Sequence, residues 1–263
     1  MQIAGSTVLL TGATGGLGHA IARALSQRGA KLILTGRRAE VLEPLATELG
    51  ARSIAVDLSD RDDVERLLAD AGEVDILVAN AALPATGTLD SFSVEEIDRA
   101  LEVNLRAPII MAKALIPAMV ARGQGHLLFM SSLSGKAATP NSALYNASKF
   151  GLRGFASALR ADLRPSGVGV STVLPGFIRD AGMFADANVK LPPGIGTRTP
   201  QNVADACVVA IERNRAEIDV APFPLRASTV LASVAPELAA KMARRLGSED
   251  ITRQMQAGQR DKR

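Results

Sequence analysis

Thr11-Gly-Ala-Thr-Gly-Gly-Leu-Gly18 separates an aliphatic run that ends at Leu10 from a segment, Gly16 to Arg28, in which Leu17, Ile21 and Leu25 recur four residues apart. The run reads as a strand and the recurring residues as the buried face of a helix. In that context Gly12 permits a tight turn, Gly16 lets the backbone approach a pyrophosphate, and Gly18 lets the helix pack closely on a sheet. Unpaired amides at the helix start add donors and positive potential for phosphate oxygens. Glycines also serve ordinary turns. The position after the first strand is what points to a dinucleotide site, with Gly12, Thr14, Gly16, Leu17 and Gly18 as its expected contacts.

Outward from this turn, strand-like runs fall at Thr7 to Leu10, Lys31 to Thr35, Ser53 to Val56, Asp75 to Val78, His126 to Met130, Val168 to Leu174 and Glu217 to Val220, with helix-period segments between them. Regular alternation of strand and helix predicts a parallel sheet, because parallel strands need crossover connections. The strands are apolar throughout, as in Asp75-Ile-Leu-Val-Ala79, which predicts helices on both faces. The expected fold is therefore α/β, a Rossmann-type doubly wound sheet of about seven strands. A Pro- and Gly-rich run, Leu191 to Pro200, precedes a helix expected near Gln201 and reads as a surface loop, with a substrate lid as the sharper alternative.

Hydrophobic residues make up 47% and charged residues 22% of the 263 positions, which disfavours disordered, collagen-like and coiled-coil classes. Cys207 is the sole cysteine, so an internal disulfide and a cysteine-based zinc cluster are excluded, and His19 and His126 add little metal-binding capacity. The chain reaches Val8-Leu9-Leu10 too soon for a signal peptide, and no 18 apolar residues run together, so neither a leader nor a membrane-spanning helix is expected and a cytoplasmic location is. The net charge is +3, while residues 241–263 alone carry seven Lys or Arg against three Asp or Glu. With no aromatic residue in this tail and no basic stripe elsewhere, nucleic acid is disfavoured as a partner and a solvated, frayed end is favoured.

Strand ends carry the remaining candidates. In Leu34-Thr-Gly-Arg37-Arg38, Gly36 stands where an acid would bind a ribose 2′-hydroxyl, and Arg37 follows; a guanidinium matches a 2′-phosphate, so NADP(H) is expected over NAD(H), with Arg38 alongside. Asp57, followed by Leu58, reads equally as an acceptor for an adenine amino group or as a cap on the next turn. Asn80, followed by Ala81, reads as a cofactor-pocket residue or as a partner for backbone groups. Ser131-Ser132 follows the fifth strand, and thirteen residues later comes Tyr145-Asn-Ala-Ser-Lys149, which holds the only tyrosine. Helical spacing stacks Tyr145 and Lys149 on one face. A phenol's pKa near 10 is too high for proton transfer at neutrality, and a nearby ammonium lowers it. Taken alone, such a pair is most often an idle helix face.

Together the glycine turn, Asn80-Ala, Asn104, Ser132 and Tyr145-Asn-Ala-Ser-Lys149 resemble the short-chain dehydrogenase/reductase family over about residues 5–220. The resemblance implies one domain with substrate and cofactor in a shared cleft. It implies Tyr145 as acid/base, Lys149 as the residue that lowers its pKa and binds the nicotinamide ribose, Ser132 as the hydroxyl that orients the substrate oxygen, and Asn104 as the holder of a relay water. It also implies that Pro175 and Gly176 pass beside the nicotinamide, with the backbone of Ile178 on the carboxamide. Two departures stand out: Ala79-Asn80-Ala81-Ala82 replaces the usual Asn-Asn-Ala-Gly, and Asp180 replaces a threonine.

The expectation is an NADP-dependent oxidoreductase moving hydride between nicotinamide and a carbonyl or secondary alcohol, without metal, as a homodimer or homotetramer. Met183, Phe184, Leu191 and Ile195 suggest a lipophilic small-molecule substrate. The alternative is a catalytically silent NADP-sensing or scaffold protein. Residues 1–225 are assigned to the oxidoreductase domain, with a substrate loop at about 181–200, and 226–263 to a C-terminal helix and basic tail of the same domain. In Pro236 to Leu246 the stripe Leu238, Met242 and Leu246 reads as an oligomer contact or a cover for the cleft, and peripheral membrane contact is the weaker reading.

Overall fold

Aliphatic β-branched runs become seven parallel strands: β1 (Thr7–Leu10), β2 (Lys31–Gly36), β3 (Arg52–Ala55), β4 (Ile76–Ala79), β5 (Gly125–Met130), β6 (Val168–Pro175) and β7 (Glu217–Val220). In this computed structural model, which describes residues 1–187, 189, 191, 195–245 and 247–259, they form one sheet in the order β3-β2-β1-β4-β5-β6-β7. Side chains alternate across it. Val8, Leu10, Leu34, Ile76, Val78 and Leu128 enter one core, while Leu9, Ile33, Leu77, Leu127 and Phe129 enter the other. Both faces are thus buried over the inner strands, which explains why β1, β4, β5 and β6 read as largely apolar runs, while the edge strands β3 and β7 carry polar residues.

The first core is covered by α1 (Gly16–Gln27), α2 (Ala39–Leu49) and α8 (Pro200–Glu212). The second is covered by α3 (Arg61–Ala71), α5 (Ala107–Ala121) and α6 (Ala143–Asp162), with α4 (Val94–Leu101) leading into α5. Thr199 and Asn202 form a reciprocal cap at the start of α8, and Pro200 occupies its first turn, where no amide donor is needed. Residues 94–121 run as one helix, long and apolar enough to cross a membrane by length and composition, although charged residues such as Arg106 and Lys113 interrupt its apolar run. Ala107, Met111, Ala112 and Met119 of this helix lie in the core against the sheet.

The loop expected at 181–200 contains a short helix, α7 (Met183–Asp186), and a bridge between Ile178 and Arg198. After β7 come three helices where one was expected: α9 (Phe223–Val234), α10 (Pro236–Arg245) and α11 (Ser248–Gln259). The boundary placed at 225/226 falls inside α9, and much of the tail expected to be frayed is α11. Leu246 of the expected stripe, Pro192-Pro193-Gly194 of the loop and the basic residues Arg260, Lys262 and Arg263 lie outside the described residues.

Candidate active site

Strand order reverses between β1, which continues to β2, and β4, so the chain leaves these neighbours in opposite directions and opens a crevice at their carboxyl ends. The glycine turn sits there. Gly12 has φ +68°, and a Cβ on it would lie 2.7 Å from Ala81 Cα. A Cβ on Gly18 would overlap the Gly12 carbonyl oxygen and lie 2.7 Å from Ala13 Cα, which is the close helix packing that the spacing predicts. Gly15 precedes α1 without a capping side chain, and the first turn carries no acid. The orphan amides of that turn therefore face the cleft available to an anion. Gly12, Thr14, Gly16, Leu17 and Gly18 all line a cavity of about 960 Å³, within the size range of small-molecule and cofactor sites.

Thr11, which sequence reasoning quoted but gave no role, ties this turn to β4. Its Oγ1 accepts from the amides of Asn80 and Ala81, both at 3.1 Å. Asn80 Nδ2 donates to the carbonyls of Thr11 (3.0 Å) and Gly12 (3.2 Å), so Asn80 satisfies backbone groups and lines the cavity at once. The other expected cofactor contacts, Arg37, Arg38, Asp57, Leu58, Ala81, Pro175, Gly176 and Ile178, also line it. Arg38 is partly spent on structure, donating to Thr14 O at 2.9 Å, whereas Arg37 is exposed at the rim. Asp57 behaves as the turn cap of the two readings: its Oδ1 accepts from Ser59 N (3.0 Å) and Ser59 Oγ (2.7 Å). Partial burial pushes its pKa up, but the Ser59 bonds and the guanidinium groups of Arg37 and Arg99 outweigh this and hold it below the usual carboxylate range.

Ser132, Tyr145 and Lys149 meet at the carboxyl end of β5. Ser132 Oγ accepts from Ser134 N at 3.1 Å, donates to Pro175 O at 3.3 Å and lines the cavity together with Tyr145. Lys149 is 2% exposed; its Nζ donates to Met130 O at 2.9 Å and lies 5.7 Å from the centre of the Tyr145 ring. Ser131 Oγ donates to Lys149 O at 3.0 Å, and Gly135 leaves room for that same carbonyl, so α6 is pinned beside β5. The electrostatics differ from the simple expectation that Lys149 lowers the phenol. Burial raises the pKa of Tyr145, with the Ser132 hydrogen bond pulling the other way, and burial lowers Lys149 to about 8. A cationic group bound beside the phenol, as an oxidised nicotinamide is, opposes that rise.

Asn104 sits in a π-helical turn, Glu102–Arg106, between α4 and α5, a feature common at functional sites. It is buried, and its amide closes a ring on Leu83: Oδ1 accepts from Leu83 N at 2.7 Å and Nδ2 donates to Leu83 O at 3.0 Å. The side chain thus clamps the segment after β4. Leu83 and Pro84 line the cavity, and neither was singled out from the sequence.

The remaining wall comes from later in the chain. Phe177 and Phe184 pack with ring centres 5.0 Å apart, and Leu225, Ser228 and Thr229 of α9 and Met255 of α11 complete the lining. Gln259 Nε2 donates to Met183 O at 3.0 Å, fastening α11 across α7. Met183 and Phe184 line the cavity as expected from their apolarity; Leu191 and Ile195 are not among its lining residues. Asp180 has φ +71°, and its carboxylate, 65% exposed, lies 3.4 Å from Arg179 Nε, which offsets the charge introduced where a threonine is usual. The Ile178–Arg198 bridge uses the peptide groups of Phe177 and Arg179 rather than those of Ile178. Cys207 is buried in the first core, and burial pushes its thiol up to about 12, so it is no nucleophile.

The model of the short chain dehydrogenase family matches residues 6–191. Ketoacyl reductase HetN of Nostoc sp. is 34% identical over 235 residues, 86% of this chain and 82% of that protein. Among solved structures, a short-chain dehydrogenase from Sphingobium yanoikuyae in complex with NADPH aligns with a TM-score of 0.75 at 27% identity, over 91% of this chain and 94% of its own. The 3-ketoacyl-(acyl-carrier-protein) reductase from Brucella melitensis complexed with NADH aligns at 0.72 and 28%, over 82% and 98%. With a matched region that carries the glycine turn, Ser132, Tyr145 and Lys149, the chain belongs to the short-chain dehydrogenase/reductase family of oxidoreductases.

Proposed function

We propose that the protein is an NADP(H)-dependent oxidoreductase acting on a carbonyl or secondary alcohol of a lipophilic small molecule. The observation that carries this reading is the meeting of Ser132, Tyr145 and Lys149 at the head of a cavity that also contains the glycine turn. The first turn of α1 fits the pyrophosphate, with uncapped amides and glycines where a Cβ would collide. Arg37, exposed at the rim, would hold the 2′-phosphate, and Lys149 the nicotinamide ribose. When bound, the nicotinamide supplies or accepts the hydride.

The chain's own residues handle the proton. In the reductive direction Tyr145 donates its phenolic proton to the substrate oxygen as negative charge develops there, and Ser132, its Oγ fixed by the Ser134 amide, steadies that oxygen. Lys149, held by Met130 O, places a cation beside the phenolate that remains. Asn104 acts as a positioning residue through Leu83. The apolar wall of Leu83, Pro84, Leu133, Phe177, Phe184 and Met255 supports a lipophilic substrate.

The test is Tyr145→Phe assayed with NADPH and a panel of ketones. Turnover is expected to fall by about 100- to 10,000-fold with NADPH binding retained, measured by fluorescence of the bound cofactor. Unchanged turnover sinks the assignment.

A further inference from the structure

On α9, Val230 and Val234 are four residues apart and Phe223 precedes Val230 by seven, so all three share one face; they are 65%, 81% and 77% exposed. On α10, Leu238 and Met242 extend the apolar surface at 52% and 45% exposure, and α10 contains no buried residue. α10 packs on α9 only through half-buried side chains such as Ala239 and Ala243, leaving Leu238 and Met242 uncovered, so this face calls for a cover. Its charge says which cover. Residues 223–245 hold Arg226, Lys241, Arg244 and Arg245 against Glu237 alone, a local net charge of +3. Arg226 lies 4.0 Å from Asp219, and the other three form no ion pair among the described residues. A second copy packed through the same face would bring two sets of these cations into one interface, with Glu237 as the only acid that residues 223–245 of each copy supply. Anionic headgroups satisfy them while the acyl region takes the apolar side chains.

We propose that this outer face of α9 and α10 docks on an anionic lipid surface. The opposite face of α9 supplies Leu225 and Thr229 to the substrate cavity, so one helix separates the docking surface from the space above Tyr145. The docking stands independently of the redox reading, because its readout needs no turnover.

Cosedimentation of the full chain with vesicles tests it. Binding is expected to vesicles of equal parts phosphatidylcholine and phosphatidylglycerol, weakening as salt rises, and not to phosphatidylcholine alone. Phe223→Ser/Val234→Ser should lower the bound fraction about tenfold, and Lys241→Gln/Arg244→Gln/Arg245→Gln should abolish the preference for anionic vesicles. These side chains lie outside the cavity and are exposed, so circular dichroism and thermal melting should match the parent. Failure of the parent chain to bind anionic vesicles overturns the proposal, as does equal binding by the Phe223/Val234 variant. Sedimentation velocity showing a dimer that this variant loses would assign the face to a second copy instead.

Discussion

Two buried basic side chains mark opposite ends of β5. At the amino end His126 is 1% exposed and bonded through Nε2 to Ser171 Oγ at 2.9 Å, while Ser171 spends its own proton on Arg215 O at 2.5 Å. At the carboxyl end Lys149 is 2% exposed and bonded to Met130 O. Burial lowers both, His126 to about 3 and Lys149 to about 8. Yet His126 is sealed among β6, α8 and the turn after α8, whereas Lys149 borders a cavity across the Tyr145 ring. A perturbed basic group signals chemistry only where a ligand can reach it; elsewhere it records the cost of holding a polar group in a core.

The largest expected effect breaks the carboxyl end alone: Tyr145→Phe lowers turnover by about 100- to 10,000-fold, whereas His126→Gln leaves kcat of the folded enzyme unchanged. Comparable losses in steady-state assays of the two variants would erase the distinction. Next in size is Gly18→Ala, whose Cβ would overlap the Gly12 carbonyl; destabilisation of about 1–3 kcal/mol in urea melts and loss of cofactor affinity are expected.

The ends also differ in where pH acts. Between about pH 6.5 and 3 the unfolded chain binds a proton on His126 that the folded chain refuses, so stability falls as the solution is acidified through this window. Lys149 has the same sign in another range: from about pH 8 to 10.5 the folded chain has released a proton that the unfolded chain keeps, so its contribution rises with pH. Urea melts across pH should show His126→Gln losing about one proton of linkage in the acid window only. An unaltered acid slope would place the titrating group elsewhere. The smallest effect concerns the cofactor: Arg37→Ala should reduce the ratio of kcat/KM for NADPH over NADH about tenfold, and an unchanged ratio would remove Arg37 from the 2′-phosphate.

The legibility of the sequence follows the same division. The sheet was readable because its inner strands are buried on both sides, and the glycine turn because overlap at Gly12 and Gly18 leaves one residue type. The stacking of Tyr145 and Lys149 on one face was readable from helical period and their roles only through the resemblance, while the direction of the phenol's pKa was not readable, since burial is invisible in a spacing. Helix α9 was not foreseen; Pro222 precedes it and Pro224 lies in its first turn, where proline is tolerated but carries no helix period. With α9 went Leu225 and Thr229, and with α11 went Met255, residues that reach the cavity from far along the chain. Asn104 was found by resemblance, and its bond partner Leu83 left no pattern in the sequence.

The π turn at Glu102–Arg106 sets a length rather than a chemistry. Ala107 N bonds back to Glu102 O, five residues earlier, so the helix holds one residue more than a regular α-helix needs. Removing one residue from this turn would restore regular winding and rotate α4 by about 100° against α5. Val103 and Asn104 would no longer both face inward. A deletion that improves the helix would thus release Leu83 and loosen the cavity wall it lines, while every side chain of the site kept its identity.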